Sequence, residues 1–206
     1  MNKLYDKYIL PKVVHWACNS KPTMYQRRKI IPKAFGDVLE IGIGSGLNLN
    51  FYDAEKVESL IGIDPSVEIW DLNKNEINEL NFDFSFVKAF AEELPFKNNE
   101  FDTIVITYSL CTIKDPQKAL SEFKRVMKDA GNLLFCEHGI APDDSVRYWQ
   151  NTINPVWKRV GGGCNLNKDI PKMIRENGFR ITQLDTMYIP GWKPASYNYW
   201  GIAQIK

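Results

Sequence analysis

The sequence is poor in the residues from which metal and disulfide chemistry is usually read. Its 206 residues include four cysteines, Cys18, Cys111, Cys136 and Cys164, and two histidines, His15 and His138. No two cysteines stand as CxxC, so neither a zinc knuckle nor a thioredoxin-like pair is signalled, and no metal site is expected. Cys111 and Cys136 fall in apolar runs and read as packed, reduced thiols, which suits a reducing compartment. Long apolar runs are missing too. The stretch MNKLYDKYILPKVVHWACN is interrupted by Lys7, Pro11 and Lys12. It falls short of the roughly 18–20 apolar residues that a membrane span needs, and no signal peptide is visible. An excess of one charge is also absent. Lys and Arg number 26 against 25 Asp and Glu, a net charge of +1, which exerts no global pull on nucleic acid. There is no internal repeat and no low-complexity tract. These absences together predict a cytoplasmic protein with no membrane span and no nucleic-acid partner; they do not signal an oligomeric state.

What is present is a core. The chain is 44% hydrophobic and 13% aromatic, enough for one packed domain of this length. Residues 1–35, basic and aromatic, suit short helices lying over a larger body. From Asp37 apolar runs alternate with helical stretches. VLEIGI, SLIGID, FDFSFVKA and FDTIVITYSL read as strands. The segment VEIWDLNKNEINEL carries a rough helical stripe through Val67, Ile69 or Trp70, Leu72, Ile77 and Leu80. Asp115 and Pro116 open a further helix with Leu120, Phe123 and Met127 on one face, and Gly131 releases the chain into the strand NLLFCEH. SVRYWQNTINPVWKRV is an amphipathic helix with a break expected at Pro155. NKDIPKMIRENG is another helix, ended by Gly178. FRITQLDTMYI and SYNYWGIAQI close the chain as two strands about a PGWKP link, and the last is expected to run antiparallel. The expected fold is α/β, a Rossmann-like, seven-stranded, mostly parallel sheet with helices on both faces. Residues 1–35 form a helical cover, 36–140 the core and 141–206 the substrate-side helices and last strands.

One stretch carries most of the chemistry. DVLEIGIGSGLN places Gly42, Gly44 and Gly46 at every second position between a strand and an expected helix. Glycine there lets a ligand approach the main chain, and a helix N-terminus would favour an anionic group. The spacing G-x-G-x-G, with Leu47 in sixth place, is not the dinucleotide fingerprint G-x-G-x-x-G. The next apolar run ends GIDPS. That sets Asp64 at a strand tip, where the crevice of an open α/β sheet lies and where a carboxylate can accept from a ribose diol. Glu40, inside the first strand, needs donors: either an ion pair with a Lys or Arg, or a role in ordering the glycine loop or anchoring a ligand ammonium.

VLEIGIGSGLN, GIDPS, AEELPF and FDTIVITYSLCTI, in that order over residues 37 to 140, resemble the class I methyltransferases that use S-adenosylmethionine. The resemblance implies that cofactor, with Gly42, Ile43, Gly44 and Gly46 beside its methionine part, Asp64 and Pro65 at the ribose and Ala91 and Glu92 at the adenine. Phe90 stands where many relatives have Asp or Ser. Thr107 and Tyr108 would flank the methionine end, and Glu40 joins the cofactor set. SLCTIKDPQKALSEFKRVMKDAGNLLFCEHGIAPD, GGGCNLNKDI and YWGIAQIK resemble a narrower branch that methylates small alkyl thiols. The implied activity is methyl transfer to a small-molecule acceptor, with a small thiol first. A lipid amine, a quinone-like ring and a non-catalytic S-adenosylmethionine-binding role stay open.

His138, at the tip of FCEHG, is the candidate base for a thiol acceptor. Glu137 would face the other way. His15 and Cys111 read as packing residues. Lys21, Arg27, Arg28 and Lys29 either cap the cofactor carboxylate or are solvated, and the solvated reading is favoured. Trp149, Ile153, Val156, Trp157 and Val160 form an apolar face, and GGGCNL sets Cys164 near the expected substrate mouth.

Overall fold

In the computed structural model, which describes residues 5–72 and 80–206, the expected strands form β1 (Gly36–Ile41), β2 (Val57–Ile63), β3 (Asp83–Val87), β4 (Phe101–Thr107), β5 (Met127–His138), β6 (Phe179–Tyr188) and β7 (Tyr197–Ile205). They hydrogen-bond in the order β3-β2-β1-β4-β5-β7-β6. The β1–β2, β1–β4, β2–β3 and β4–β5 pairs are parallel, whereas β7 runs antiparallel to both β5 and β6. The closing hairpin thus inserts its second strand into the sheet and leaves its first at the edge.

The helices are α1 (Leu10–Cys18), α2 (Lys21–Ile30), α3 (Val67–Trp70), α4 (Pro116–Val126), α5 (Asp144–Val160) and α6 (Ile170–Glu176). The central strands are apolar on both faces because both are covered. On one face Ile104, Ile106 and Phe135 pack with Leu120 and Phe123 of α4 and Ile174 of α6. On the other, Val38, Val105 and Leu134 pack with Ile30, Ile31 and Trp70. Each fully buried Phe or Ile contributes about 1.5–3 kcal/mol from loss of hydrated apolar surface. Asp115 caps α4 as expected, its Oδ1 accepting the Lys118 amide at 3.0 Å.

Four expectations need correction. No α-helix follows the glycine loop; the chain makes turns and a short 3-10 turn, Leu49–Phe51. Asn48, whose side chain donates to Glu40 and Thr107, holds that segment to the sheet instead. The stripe from Val67 becomes a four-residue helix, with Trp70 stacked 4.9 Å from Phe86; Ile77 lies outside the described residues. Met127 and Gly131 both belong to β5, where a Cβ on Gly131 would lie 2.9 Å from the Asp102 carbonyl oxygen. Finally, α5 runs through Pro155 without a break. Gln150 before the proline accepts from the Ala141 amide at 3.0 Å, and Asn154 accepts from the Leu166 amide at 2.8 Å. These clamps offset the one backbone hydrogen bond that proline removes.

Candidate functional site

The carboxyl ends of β1, β2 and β4 open into a cavity of about 640 Å³, within the usual range for small-molecule sites. The glycine loop forms its floor. Gly42 and Gly44 have φ of +65° and +57°, in the left-handed region. A Cβ on Gly42 would lie 2.3 Å from Ser109 Oγ, so packing as well as dihedral requires glycine there. At Gly44 the nearest atom to such a Cβ is 3.6 Å away: the backbone faces open space.

Asp64 stands opposite, only 8% exposed. Its Oδ2 accepts the Gly44 amide at 3.0 Å and its Oδ1 the Ser66 amide at 2.8 Å. Burial pushes its pKa up, and these two amides work against the rise. Each oxygen keeps a further lone pair for a ligand hydroxyl. Ile43, Pro65, Ala91, Glu92, Thr107 and Tyr108 also line the cavity, beside the exposed Phe90. Tyr108 takes φ of +51°, uncommon for a non-glycine residue, while its hydroxyl donates to Asn198 Oδ1 at 2.6 Å.

Three residues expected in the site do not line the cavity: Glu40, Gly46 and His138. Glu40 lies behind the floor. Its Oε1 accepts from Asn48 Nδ2 at 2.8 Å and its Oε2 from the Tyr52 hydroxyl at 2.7 Å. Burial pushes its pKa up to about 7, against the pull of Tyr52, Arg27 and Asn48. It therefore orders the glycine loop through neutral donors, not through a direct ion pair. Gly46 turns inward toward Leu49. His138 is buried at the end of β5 with Nε2 3.1 Å from Cys164 Sγ. Burial works to lower its pKa, but the Cys164 and Glu137 charges outweigh it and the net shift is upward. Glu137 does face away from it, accepting the Ser109 and Leu110 amides at 2.7 and 2.9 Å.

Two residues matter more than their sequence context indicated. Arg27 is buried, not solvated, and lines the cavity. Its Nη1 donates to Asn48 Oδ1 at 2.9 Å and to Thr107 Oγ1, and its guanidinium sits 5.0 Å from the Tyr108 ring centre. Its Nε is buried with no hydrogen-bond partner among the described residues. His15 also lines the cavity, and its Nδ1 lies 2.6 Å from Ser45 Oγ in the glycine loop. The amphipathic spacing of α1 could have marked Leu10, Val14 and Cys18 as one face, and all three reach the wall. Gly162 closes that end, with a Cβ there 3.0 Å from Leu10 Cδ2. Among the described residues, no helix is long and apolar enough to cross a membrane.

Comparison with known proteins agrees with this geometry. The family model described as a methyltransferase domain matches residues 39–135. Thiol S-methyltransferase TMT1A of Homo sapiens is 30% identical over 169 residues, 79% of this chain and 69% of that protein. Thiol S-methyltransferase TMT1B of Rattus norvegicus is 30% identical over 165 residues; the match covers 79% of this chain and 65% of that protein's length. The crystal structure of YcgJ from Bacillus subtilis superposes with a TM-score of 0.67 at 21% identity, covering 88% of this chain and 98% of that one, which shows the shared fold.

Proposed function

Since the chain belongs to the S-adenosylmethionine-dependent methyltransferases, we propose that it methylates a small thiol. The observation that carries this reading is the makeup of the cavity wall beyond the glycine loop. α1, α2 and the 161–162 turn contribute Leu10, Val14, His15, Cys18, Arg27, Gly161 and Gly162, and no carboxylate. The cavity's carboxylates, Asp64, Glu92, Glu93 and Asp115, come from the segments after β2, β3 and β4 instead, and on this side a thiol enters as a neutral apolar group and reacts as its thiolate. The activity for which the two thiol S-methyltransferases are named supports the same choice.

The residues divide the work. Asp64 is assigned to the ribose hydroxyls, Ala91 and Glu92 to the adenine edge, and Gly42, Ile43 and Gly44 to close backbone contact. Pro65 stiffens the turn that carries Asp64. Thr107 and Tyr108 border the reacting end, and Arg27, with its unpaired Nε, suits the amino-acid carboxylate. When bound, S-adenosylmethionine supplies a methyl on a sulfonium, already joined to its leaving group. The protein's part is to hold the acceptor in line and exclude water. Glu40 and Gly46 support the loop from behind. His138 is not assigned as the base, because its Nε2 is turned to Cys164. With no base assigned, activity rises with pH toward the thiol pKa, roughly 8.5 for a cysteine-like thiol. In this reading 36–140 is the cofactor-binding core of a single domain, and 1–35 with 141–206 shapes the acceptor side. The four free cysteines suit a reducing compartment, and the reading places the enzyme in the cytoplasm.

The test is release of S-adenosylhomocysteine with a panel of alkyl thiols, amines, phenols and quinols. Turnover with thiols alone is expected. Turnover with amines or quinols and none with thiols overturns the thiol assignment. Cofactor binding without turnover on any class favours the non-catalytic role.

A further inference from the structure

The three residues around which the sequence offered no metal pattern come together in space. Cys111 lies in the turn after β4, His138 at the end of β5 and Cys164 in the turn after α5. One donor atom of each falls within 4.8 Å of the other two. We propose that Cys111 Sγ, His138 Nε2 and Cys164 Sγ form a binding site for a soft divalent cation, Zn²⁺ by preference.

The donor set is the first argument. Two thiolates and one imidazole select zinc over calcium, magnesium or manganese, and three protein donors leave one tetrahedral position open. The second argument is the rigidity of the frame. Asn165 donates from its backbone and its side chain to the Cys111 carbonyl, at 3.1 and 3.0 Å, tying the two cysteine-bearing turns together. Lys168 Nζ donates to the Leu110 and Ile113 carbonyls at 2.9 Å, so it braces the Cys111 turn from below. Glu137 holds the same turn to β5 through the Ser109 and Leu110 amides. Donors on such a frame reach a metal with little reorganisation.

The third argument is the aim of the imidazole and a buried acid beside it. His138 turns Nε2, the nitrogen that would ligate, to the Cys164 sulfur at 3.1 Å. Glu137 Oε2, next along β5 and fully buried, has no hydrogen-bond partner among the described residues. Nearby positive charge would offset that cost, and Lys168 alone is already committed to two carbonyls. Ligation takes both cysteines as thiolates and the imidazole through a deprotonated Nε2, so metal binding releases protons to solvent and tightens as pH rises. Thr112 and Gly162, close in sequence to Cys111 and Cys164, line the cavity, so the site lies against the cavity wall. It does not depend on which acceptor the enzyme uses.

The experiment is titration of the chelator-treated, fully reduced protein with Co²⁺ alone. One equivalent is expected to give sulfur-to-cobalt charge-transfer absorption and intense tetrahedral d–d bands, and Zn²⁺ is expected to erase both. Cys111→Ser and Cys164→Ser should lose these bands with unchanged far-ultraviolet circular dichroism, whereas Cys136→Ser, outside the cluster, should keep them. Absence of charge-transfer absorption in the wild-type protein overturns the site, whatever the variants do. So does absorption that survives both cluster substitutions.

Discussion

His15 Nδ1 and Ser45 Oγ lie 2.6 Å apart, and this contact fastens α1 to the glycine loop. The loop and the helix that covers it are thereby coupled, although 30 residues separate the two side chains. Ahead of α1, Tyr5 ties the same end of the chain to the end of α5, its hydroxyl donating to the Val160 carbonyl at 2.7 Å. A hydrogen bond of this kind contributes about 0.5–1.5 kcal/mol. His15→Ala is therefore expected to weaken S-adenosylmethionine binding by roughly 2- to 12-fold, with faster release and earlier proteolysis within α1. Calorimetry and limited proteolysis read both effects. Unchanged affinity and unchanged cleavage would mean that the cover closes by apolar packing alone.

Asp64 does two jobs at once, pinning Gly44 and presenting lone pairs to the cavity. Asp64→Ala removes charge-assisted bonds of about 1.5–3 kcal/mol, so cofactor affinity should fall by roughly 10- to 150-fold. Asp64→Asn keeps one acceptor for an amide and should lose less. If both substitutions leave calorimetric affinity unaltered, the ribose does not sit at Asp64.

The sheet was legible because its strands are local apolar runs, α4 because Asp115 caps it and Phe123 fixes its face, and α6 because Gly178 ends its helical stretch. Asp64 was legible because a strand tip is a position in sequence as well as in space. Arg27 was not. Its burial depends on Asn48 and Thr107, acceptors 21 and 80 residues away, and nothing in KPTMYQRRKI sets one arginine apart from the next. The Cys111, His138 and Cys164 cluster was hidden for the same reason, since short spacing is the only cysteine signal a sequence displays. Pro155 misled because local propensity was overridden by the clamps at Gln150 and Asn154.

Arg27 provides a test of which end of the cofactor it meets. Arg27→Lys keeps the charge but has no counterpart to the buried, unpartnered Nε, the donor assigned to the amino-acid carboxylate. S-adenosylmethionine should bind roughly 10-fold or more weakly, in line with loss of a hydrogen bond to a charged group. 5′-Methylthioadenosine has the nucleoside but no amino-acid end, and its affinity should hold. Equal losses for both ligands would show that Arg27 acts only by shaping the loop.

Glu40 makes stability depend on pH in a direction that can be worked out. Its pKa is near 4.5 in an unstructured chain and about 7 in the folded protein, raised chiefly by burial. The folded state therefore binds the proton more tightly. The stabilisation is complete below 4.5 and is lost as pH rises to about 7, because the unfolded chain ionises first. The span corresponds to an effect of the order of 3 kcal/mol. Glu40→Gln retains an acceptor for Asn48 and a donor for Tyr52, and it does not titrate. The melting temperature of the wild-type protein should thus fall relative to Glu40→Gln across that interval. Glu137, also pushed up to about 7 by burial, leaves a residual slope in the variant. Parallel curves for the two proteins would mean that Glu40 is already ionised in the fold, paired with Arg27 across Asn48.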